Sequence, residues 1–560
     1  MKHDLETTIE TAARELFDTD ISVALTHPEV QFGDYATNVS LQLARTVGQP
    51  PRAIAEALAA RLREVAPDHI REVTIAGPGF INVTLTDAAL GRSLAVRATK
   101  SWAGKVVVAE YSDPNPFKVL HAGHLYTSIV GDSIANLLEH AGATVHRVNF
   151  GGDVGLHVAK TMWAILQKLG GEHPEKLAAI APNERSEWMA EAYVAGTLAY
   201  EDDAGAKARI IELNRQVYAI QTEQDHVAPL AQIYWLCRGW SYDYFDAFYE
   251  RIGTKFEKYY PESETAPIGL KIVSEQLARG VYEQSDGAVI FDGDKYGLHK
   301  RVFINSQGLP TYEAKDVGLI MLKWADYHFD SSVIITGNDI IEYMKVVLKS
   351  VEQFMPQLPA RTTHLTHGIV KLAGGTKMSS RKGNILRAVD VLEAAAAANK
   401  AVTATEDERV TLGAVKYAFL KQRTGGDIIY SPTESVSLEG NSGPYLQYAH
   451  ARARSILRKA GREVAGDPSA LDVDLEDDER TFVRKMGEYS EVIDKAVADL
   501  LPHVVCTYLY ELAQTFNRFY ENNRVIDDPR QALRLGLVEA YAARLREGLG
   551  LLGMYAPEKM

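Results

Sequence analysis

Residues 105–140 read KVVVAEYSDPNPFKVLHAGHLYTSIVGDSIANLLEH, and the order of residue types in this stretch decides the fold. Lys105–Ser112 is a near-continuous β-branched run, the mark of a strand buried on both faces. Ser-Asp-Pro-Asn-Pro then makes a turn, because Pro and Asn favour turn geometry. A long helix follows to about His140, with Gly142 as its stop. Residues 144–155 supply the next strand and a glycine turn. This βαβ rhythm predicts an α/β chain built on a Rossmann-type, doubly wound parallel sheet.

Outward from that core the chain changes character. Residues 1–95 read as an N-terminal α+β module: a helical period over 5–17, a helix after FGDYATN (32–38), a third at 51–65, and a β-hairpin around Gly77-Pro78-Gly79. Residues 96–409 hold the sheet domain, with strand-like runs at 287–293, 301–316, 325–339 and 364–372. Residues 157–250 are helical and polar and read as an insertion between its two halves. Residues 410–560 are strongly helical and predict an α-bundle.

Composition narrows the class. Hydrophobic residues make up 46% and charged residues 24% of 560, ordinary values for a water-soluble globular chain. No apolar run is long enough to span a bilayer, and the acidic, amphipathic N-terminus has no signal-peptide core, so the expected location is cytoplasmic. Cys237 and Cys506, with no CxxC pair, read as buried reduced thiols. The net charge of −14 excludes a uniformly basic coat, but RNA contact depends on local charge. Arg452, Arg454, Arg458, Lys459 and Arg462 form such a stretch; a solvated helix face is the competing reading.

Two short segments carry the chemistry. His121-Ala122-Gly123-His124 sits where a strand gives way to a helix, and free N–H groups at helix N-termini hold phosphate. Gly123 admits close approach, and His121 and His124 can donate hydrogen bonds to phosphate oxygens. Lys377-Met378-Ser379-Ser380-Arg381-Lys382-Gly383-Asn384 is the second. Its Lys and Arg side chains suit a departing pyrophosphate, and Gly374, Gly375 and Gly383 make it pliable. Each segment alone is weak evidence. Together they make two halves of one ATP-handling, adenylate-forming site.

These segments resemble the HIGH and KMSKS signatures of class I aminoacyl-tRNA synthetases, and their surroundings are similar to the arginyl-tRNA synthetase family. The likeness runs through FGDYATN (32–38), GPGFINV (77–83), EYSDPNPFK (110–118), TYEAKD (311–316), EGNSGPYLQYAHAR (439–452) and QALRLGL (531–537). Ser380 stands where the signature has its second lysine, and Gln531 where the tail motif usually begins with Asp. The resemblance implies that Lys118, three residues before His121, takes over the missing lysine's role.

It implies further an ATP-dependent ligation of L-arginine to tRNA(Arg), with Mg2+ carried by the nucleotide, on a monomer. Lys118, His121, His124, Lys377, Arg381 and Lys382 would be catalytic; His121, Gly123, His124, Ile369, Val370, Met378, Ser379 and Ser380 would hold ATP. Glu110, Asn115, Tyr312, Asp316 and Asp339 would bind arginine. A guanidinium presents five donors in a plane, which a carboxylate meets bidentately and an aromatic ring can stack upon. Asp316 follows Tyr312 by four residues, so one helix face would carry both. Phe32, Tyr35 and Asn38 would touch the outer corner of the tRNA; Tyr445, Gln447, Tyr448, His450 and Arg452 would meet its anticodon stem and loop. The competing readings are another class I synthetase, a non-catalytic tRNA-binding paralogue, and a small nucleotidylyltransferase; the helical tail argues against the last.

Overall fold

The computed structural model describes residues 1–373, 386–403, 407–461 and 474–560. In the N-terminal module, β1 (Tyr35–Thr37), β2 (Ile70–Ala76) and β3 (Phe80–Leu85) form an antiparallel sheet in the order β1-β3-β2. The helices Lys2–Phe17, Val39–Val47 and Pro51–Val65 pack in the same module, the last two starting and stopping close to where the apolar periods do. Two acidic side chains clip this module to the C-terminal helices. Asp34 pairs with Arg480 at 2.6 Å, and Glu491 accepts from the Tyr35 hydroxyl at 2.8 Å.

The catalytic half begins with β4 (Val106–Glu110), β5 (Thr144–Gly151) and β6 (Lys258–Pro261). Next comes a small antiparallel sheet of β7 (Glu283–Ser285), β8 (Ala288–Phe291) and β9 (Arg301–Ile304). Then follow β10 (Ser331–Gly337), β11 (Thr362–His367), β12 (Val370–Leu372) and, beyond two helices, β13 (Ile428–Tyr430). The main sheet is wholly parallel in the order β11-β10-β4-β5-β6. β4 is central, and Val107, Val108 and Ala109 are fully buried, as its unbroken apolar run requires. The strand order reverses at β4, so its carboxyl end opens on the crevice where open α/β sheets take their ligands.

Three expectations are corrected. The runs at 287–293 and 301–316 do not join the parallel sheet: β8 and β9 form their own antiparallel hairpin, and the chain turns through Asn305–Gly308 into the helix Tyr312–Tyr327. The run at 364–372 is two strands broken at Gly368. The sheet half also extends past the expected break near 409, because β13 pairs in parallel with β12. The insertion is helical as read, over Leu156–Leu169, Arg185–Asp202, Ala204–Glu223 and Pro229–Ile252, but it encloses an apolar core of its own that includes Met162, Ile165 and Tyr234. The C-terminal bundle is helical as expected. Within the QALRLGL motif, Arg534 is buried and grips Glu479 at 2.8 Å and Glu476 at 2.7 Å. No described helix is long and apolar enough to cross a membrane.

One packing contact sets the geometry of the site. The helix Glu262–Leu277 crosses the helix Tyr312–Tyr327 through glycines. A Cβ on Gly269 would lie 1.8 Å from the Ala314 carbonyl oxygen, and one on Gly318 would lie 2.1 Å from that of Thr265. Gly269→Ala should therefore force the helices apart and cost about 2 kcal/mol, within the usual overpacking range. A thermal midpoint unchanged from wild type would show that the helices part freely.

Candidate active site

Strand β4 ends at Glu110, and the turn after it leads directly into the helix Ala122–His140. Ser112, Asp113 and Phe117 all have positive φ, so this turn holds a backbone shape that side-chain-bearing residues rarely adopt. His121 caps the helix: the Gly123 N–H donates to His121 Nδ1 at 3.1 Å, and the His121 N–H donates to His124 Nδ1 at 3.1 Å. Both Nδ1 atoms are thus acceptors, which leaves each neutral ring with its proton on Nε2. Burial, then the charge of Lys118, holds His121 at about 4. Burial, then His121 and Lys118, pushes His124 well below the ordinary imidazole value. At neutral pH the two rings are uncharged Nε2–H donors.

The second signature, Lys377, Met378, Ser379, Ser380, Arg381 and Lys382 with Gly374, Gly375 and Gly383, lies outside the described residues, as does Arg462. Its downstream flank does not. The Ala122 N–H donates to the Leu386 carbonyl at 2.8 Å, the Ala388 N–H donates to that of Leu120 at 2.9 Å, and His121 faces Arg387 across this antiparallel bridge. The upstream flank is β12. Ile369 is exposed, and it gives its N–H to Asp427 Oδ1 and its carbonyl to the Ile428 N–H, both at 2.9 Å. Backbone groups alternate along a strand, so those of the buried Val370 point to the other edge of β12, which no described strand covers.

Beneath lies a knot of buried charge. Lys323 clasps Glu110. Lys315 pairs with Glu262 at 2.5 Å and lies 5.0 Å from the centre of the Tyr312 ring. Asp153 takes Arg238 at 2.9 Å, and Glu313 takes Arg301 at 3.3 Å. Asp316, 8% exposed, has no cation within ion-pair distance among the described residues and accepts only the Tyr343 hydroxyl. Burial, then the charges of Glu110 and Glu262, pushes its carboxyl up to about 7. Asp113 likewise has no cation within ion-pair distance among the described residues and accepts the Phe150 N–H at 2.8 Å, so two carboxylates here are uncompensated; Asp316 shares its helix with the Tyr312 ring, a pairing suited to a flat cation.

The expected residues do not all play the parts assigned. Tyr312 and Asp316 share the first turns of one helix as expected. Asn115 uses its Oδ1 to accept the Gly152 N–H at 2.8 Å. Glu110 is no free carboxylate, since burial beside Lys323 commits it. Asp339 is exposed and exerts its charge on His121 and His367 instead of joining Asp316. Tyr35 is buried and spends its hydroxyl on Glu491, so it joins two domains and presents no surface; Phe32 and Asn38 are exposed. Gln447 is fully buried, bonded to the carbonyls of Arg409 and Tyr555, and His450 is buried against the Pro557 carbonyl. Helix packing claims both. Tyr448 is exposed, Tyr445 and Arg452 are half-buried, and Arg452 stacks on Tyr520 at 4.7 Å. Arg454 and Arg458 hold Glu558 and so pin the C-terminal tail. Glu262 and Lys315 were missed: Glu262 sits in a YYPESE run with no catalytic signature, and Lys315 was passed over inside TYEAKD.

Three family models match end to end: "Arginyl tRNA synthetase N terminal domain" over residues 1–85, "tRNA synthetases class I (R), catalytic domain" over 87–431, and "DALR anticodon binding domain" over 446–560. An arginine–tRNA ligase of Synechococcus sp. is 32% identical over 96% of this chain and 95% of its own length. One from Porphyromonas gingivalis is 29% identical over 99% of both. The solved arginyl-tRNA synthetase of Thermus thermophilus superposes with a TM-score of 0.80 at 26% identity over the whole of both chains.

The raised Asp316 carboxyl has a stability signature. The folded value of about 7 exceeds the ordinary 3.8, so folding favours the protonated form and wild-type stability falls as pH rises between those values. Asp316→Asn should therefore raise the thermal midpoint of the ligand-free protein at pH 8, with the gain shrinking as pH falls below about 7 and gone by about pH 4. A gain independent of pH would mean that the carboxyl does not titrate in this range.

Proposed function

The chain belongs to the arginyl-tRNA synthetase family of class I aminoacyl-tRNA synthetases, and from that premise we propose how its residues divide the work. The enzyme is an arginine–tRNA ligase. In the first step the arginine carboxylate oxygen attacks the α-phosphorus of ATP, a new P–O bond forms, and the bond to pyrophosphate breaks. In the second the terminal ribose hydroxyl of tRNA attacks the adenylate carbonyl and AMP leaves. ATP brings its own Mg2+. The protein acts as a monomer in the cytoplasm.

His121 and His124 donate Nε2–H bonds to the triphosphate, at the mouth of a helix whose N-terminal N–H groups favour anionic charge. Lys118 and the Lys377–Lys382 segment supply the positive charge that pyrophosphate needs as it leaves. The outward-facing backbone of Val370 serves the adenine edge. Asp316 takes the guanidinium with Tyr312 at its face, and Glu262, now paired with Lys315, stands beside them. Asn115 orients the backbone end of the amino acid. Phe32 and Asn38 touch the tRNA corner, and Tyr448, Tyr445 and Arg452 serve the anticodon side.

The observation that carries this assignment is the buried Asp316 without a cation of its own among the described residues. A lysine ammonium lacks the planar fork that satisfies such a carboxylate bidentately, which favours arginine over lysine. ATP–pyrophosphate exchange with arginine and total tRNA tests it; exchange with another amino acid and none with arginine would reject the specificity. Since the guanidinium requires the ionised carboxylate, the arginine Kd should rise about tenfold per pH unit below about 7 and level off above it. A Kd flat from pH 5.5 to 8 would remove Asp316 from the guanidinium site. Lys118→Ala should lower the exchange rate at least tenfold, or ~1.4 kcal/mol.

A further inference from the structure

The 157–250 insertion has no part in the assignment above, yet it touches the turn that carries Lys118 and the bridge beside His121 at three points. The first is the residue before Lys118. Phe117 has φ +66°, donates its N–H to Ser241 Oγ at 3.0 Å, and stacks its buried ring on Tyr234 at 5.7 Å, both partners lying on the insertion helix Pro229–Ile252. The second is Lys118 itself. Its ammonium lies 4.9 Å from the centre of the Tyr193 ring, on the helix Arg185–Asp202, and no carboxylate among the described residues lies within ion-pair distance of it. The third is Arg387, which faces His121 across the bridge and donates to Glu187 of that same helix at 2.6 Å.

We propose that Tyr193 is a positioning residue for the reaction, its ring holding the Lys118 ammonium in place to meet the leaving pyrophosphate. The proposal rests on the assignment of Lys118 to the phosphates. A lysine on a free stem would lose rotamer entropy each time it closed on substrate. A carboxylate partner would remove that cost but would also neutralise the charge the phosphates need. An aromatic face attracts the ammonium through its quadrupole and leaves the full positive charge available.

The platform under this ring is built to stay put. A Cβ on Gly196, three residues after Tyr193, would lie 1.9 Å from the Lys160 carbonyl oxygen, so the helix Arg185–Asp202 packs directly on the backbone of the helix Leu156–Leu169. Asp153, fully buried at the end of β5, ties the insertion to the sheet. It accepts from Arg238 at 2.9 Å, from Gln221 at 3.3 Å, and from the Ser263 N–H and hydroxyl at 2.9 and 2.7 Å. The insertion is therefore a fixed bracket for the strained turn that carries Lys118.

A double-mutant cycle in tRNA-supported ATP–pyrophosphate exchange tests the proposal, with Y193L, Y193F, K118A and K118A/Y193L. Y193L should lower kcat about fivefold with the arginine KM unchanged, and Y193F, which keeps the ring, should match wild type. In the K118A background Y193L should cost nothing more. Thermal melts check folding; if Y193L melts early, Y193M replaces it. Wild-type kcat in Y193L beside an impaired K118A would overturn the role of Tyr193 alone, as would fully additive losses in the double variant. A K118A enzyme at wild-type rate would instead overturn the Lys118 assignment and the proposal with it.

Discussion

The site depends on burying the Asp316 carboxylate with no cation within ion-pair distance among the described residues. Taking an ionised carboxylate out of water costs several kcal/mol unless a partner compensates it. Four acids near Asp316 have one: Glu110 has Lys323, Glu262 has Lys315, Asp153 has Arg238 and Glu313 has Arg301, whereas Asp113 accepts only the Phe150 N–H at 2.8 Å and is pushed well above its ordinary value by burial and by Glu110. Among the described residues, Asp316 has only the hydroxyl of Tyr343. The glycine crossing at Gly269 and Gly318 sustains the arrangement, because it presses the helix of Asp316 against the helix of Glu262 and excludes water between them. The paired acids also matter for specificity. With their charges met inside the protein, an incoming guanidinium is left to Asp316 on the proposed assignment.

That pocket reaches the nucleotide through the backbone. The reversal of strand order at β4 puts the turn 111–121 at the carboxyl end of the central strand. The antiparallel bridge between 120–122 and 386–388 then fixes Leu386–Ala388 against the first turn of the histidine-capped helix. Segments some 250 positions apart are thus joined by ordinary backbone hydrogen bonds, whose partners are indifferent to side-chain identity.

How much of this could be read from the chain depended on the range of the interaction. The β4 strand, the turn and the long helix were legible because Val106–Ala109 is apolar without alternation, and because Pro114 and Pro116 break the chain between two regular elements. The helix start at Tyr312 is legible only as the pairing of Tyr312 with Asp316; reading 301–316 as one strand-like run passes over the Asn305–Pro310 break, where strand β9 has ended and the chain turns into the helix. Glu262 and Lys315 were illegible because their meeting spans 53 residues and leaves no local pattern. Gln447 and Tyr35 show the converse. Each lies in a family motif that suggests RNA contact, and each is consumed by packing, because a motif conveys residue type but not which way the helix or strand turns it.

On the proposed assignment, the choice of side chains around the triphosphate follows from what each must do after the bond breaks. A site must attract ATP, stabilise the growing charge on pyrophosphate, and then let go. His121 and His124 are neutral at working pH because their Nδ1 atoms serve as helix caps and burial disfavours the imidazolium. They can orient the phosphates without adding fixed charge that would hold the product. The net positive charge is delegated to lysine and arginine side chains on long stems, one of them rooted in a strained turn beside the insertion. Neutral donors set geometry and the cations supply the charge. A chain that replaced His121 with a permanently charged residue would lose its helix cap and hold pyrophosphate too tightly, so the histidines at this position answer to two constraints, one structural and one kinetic.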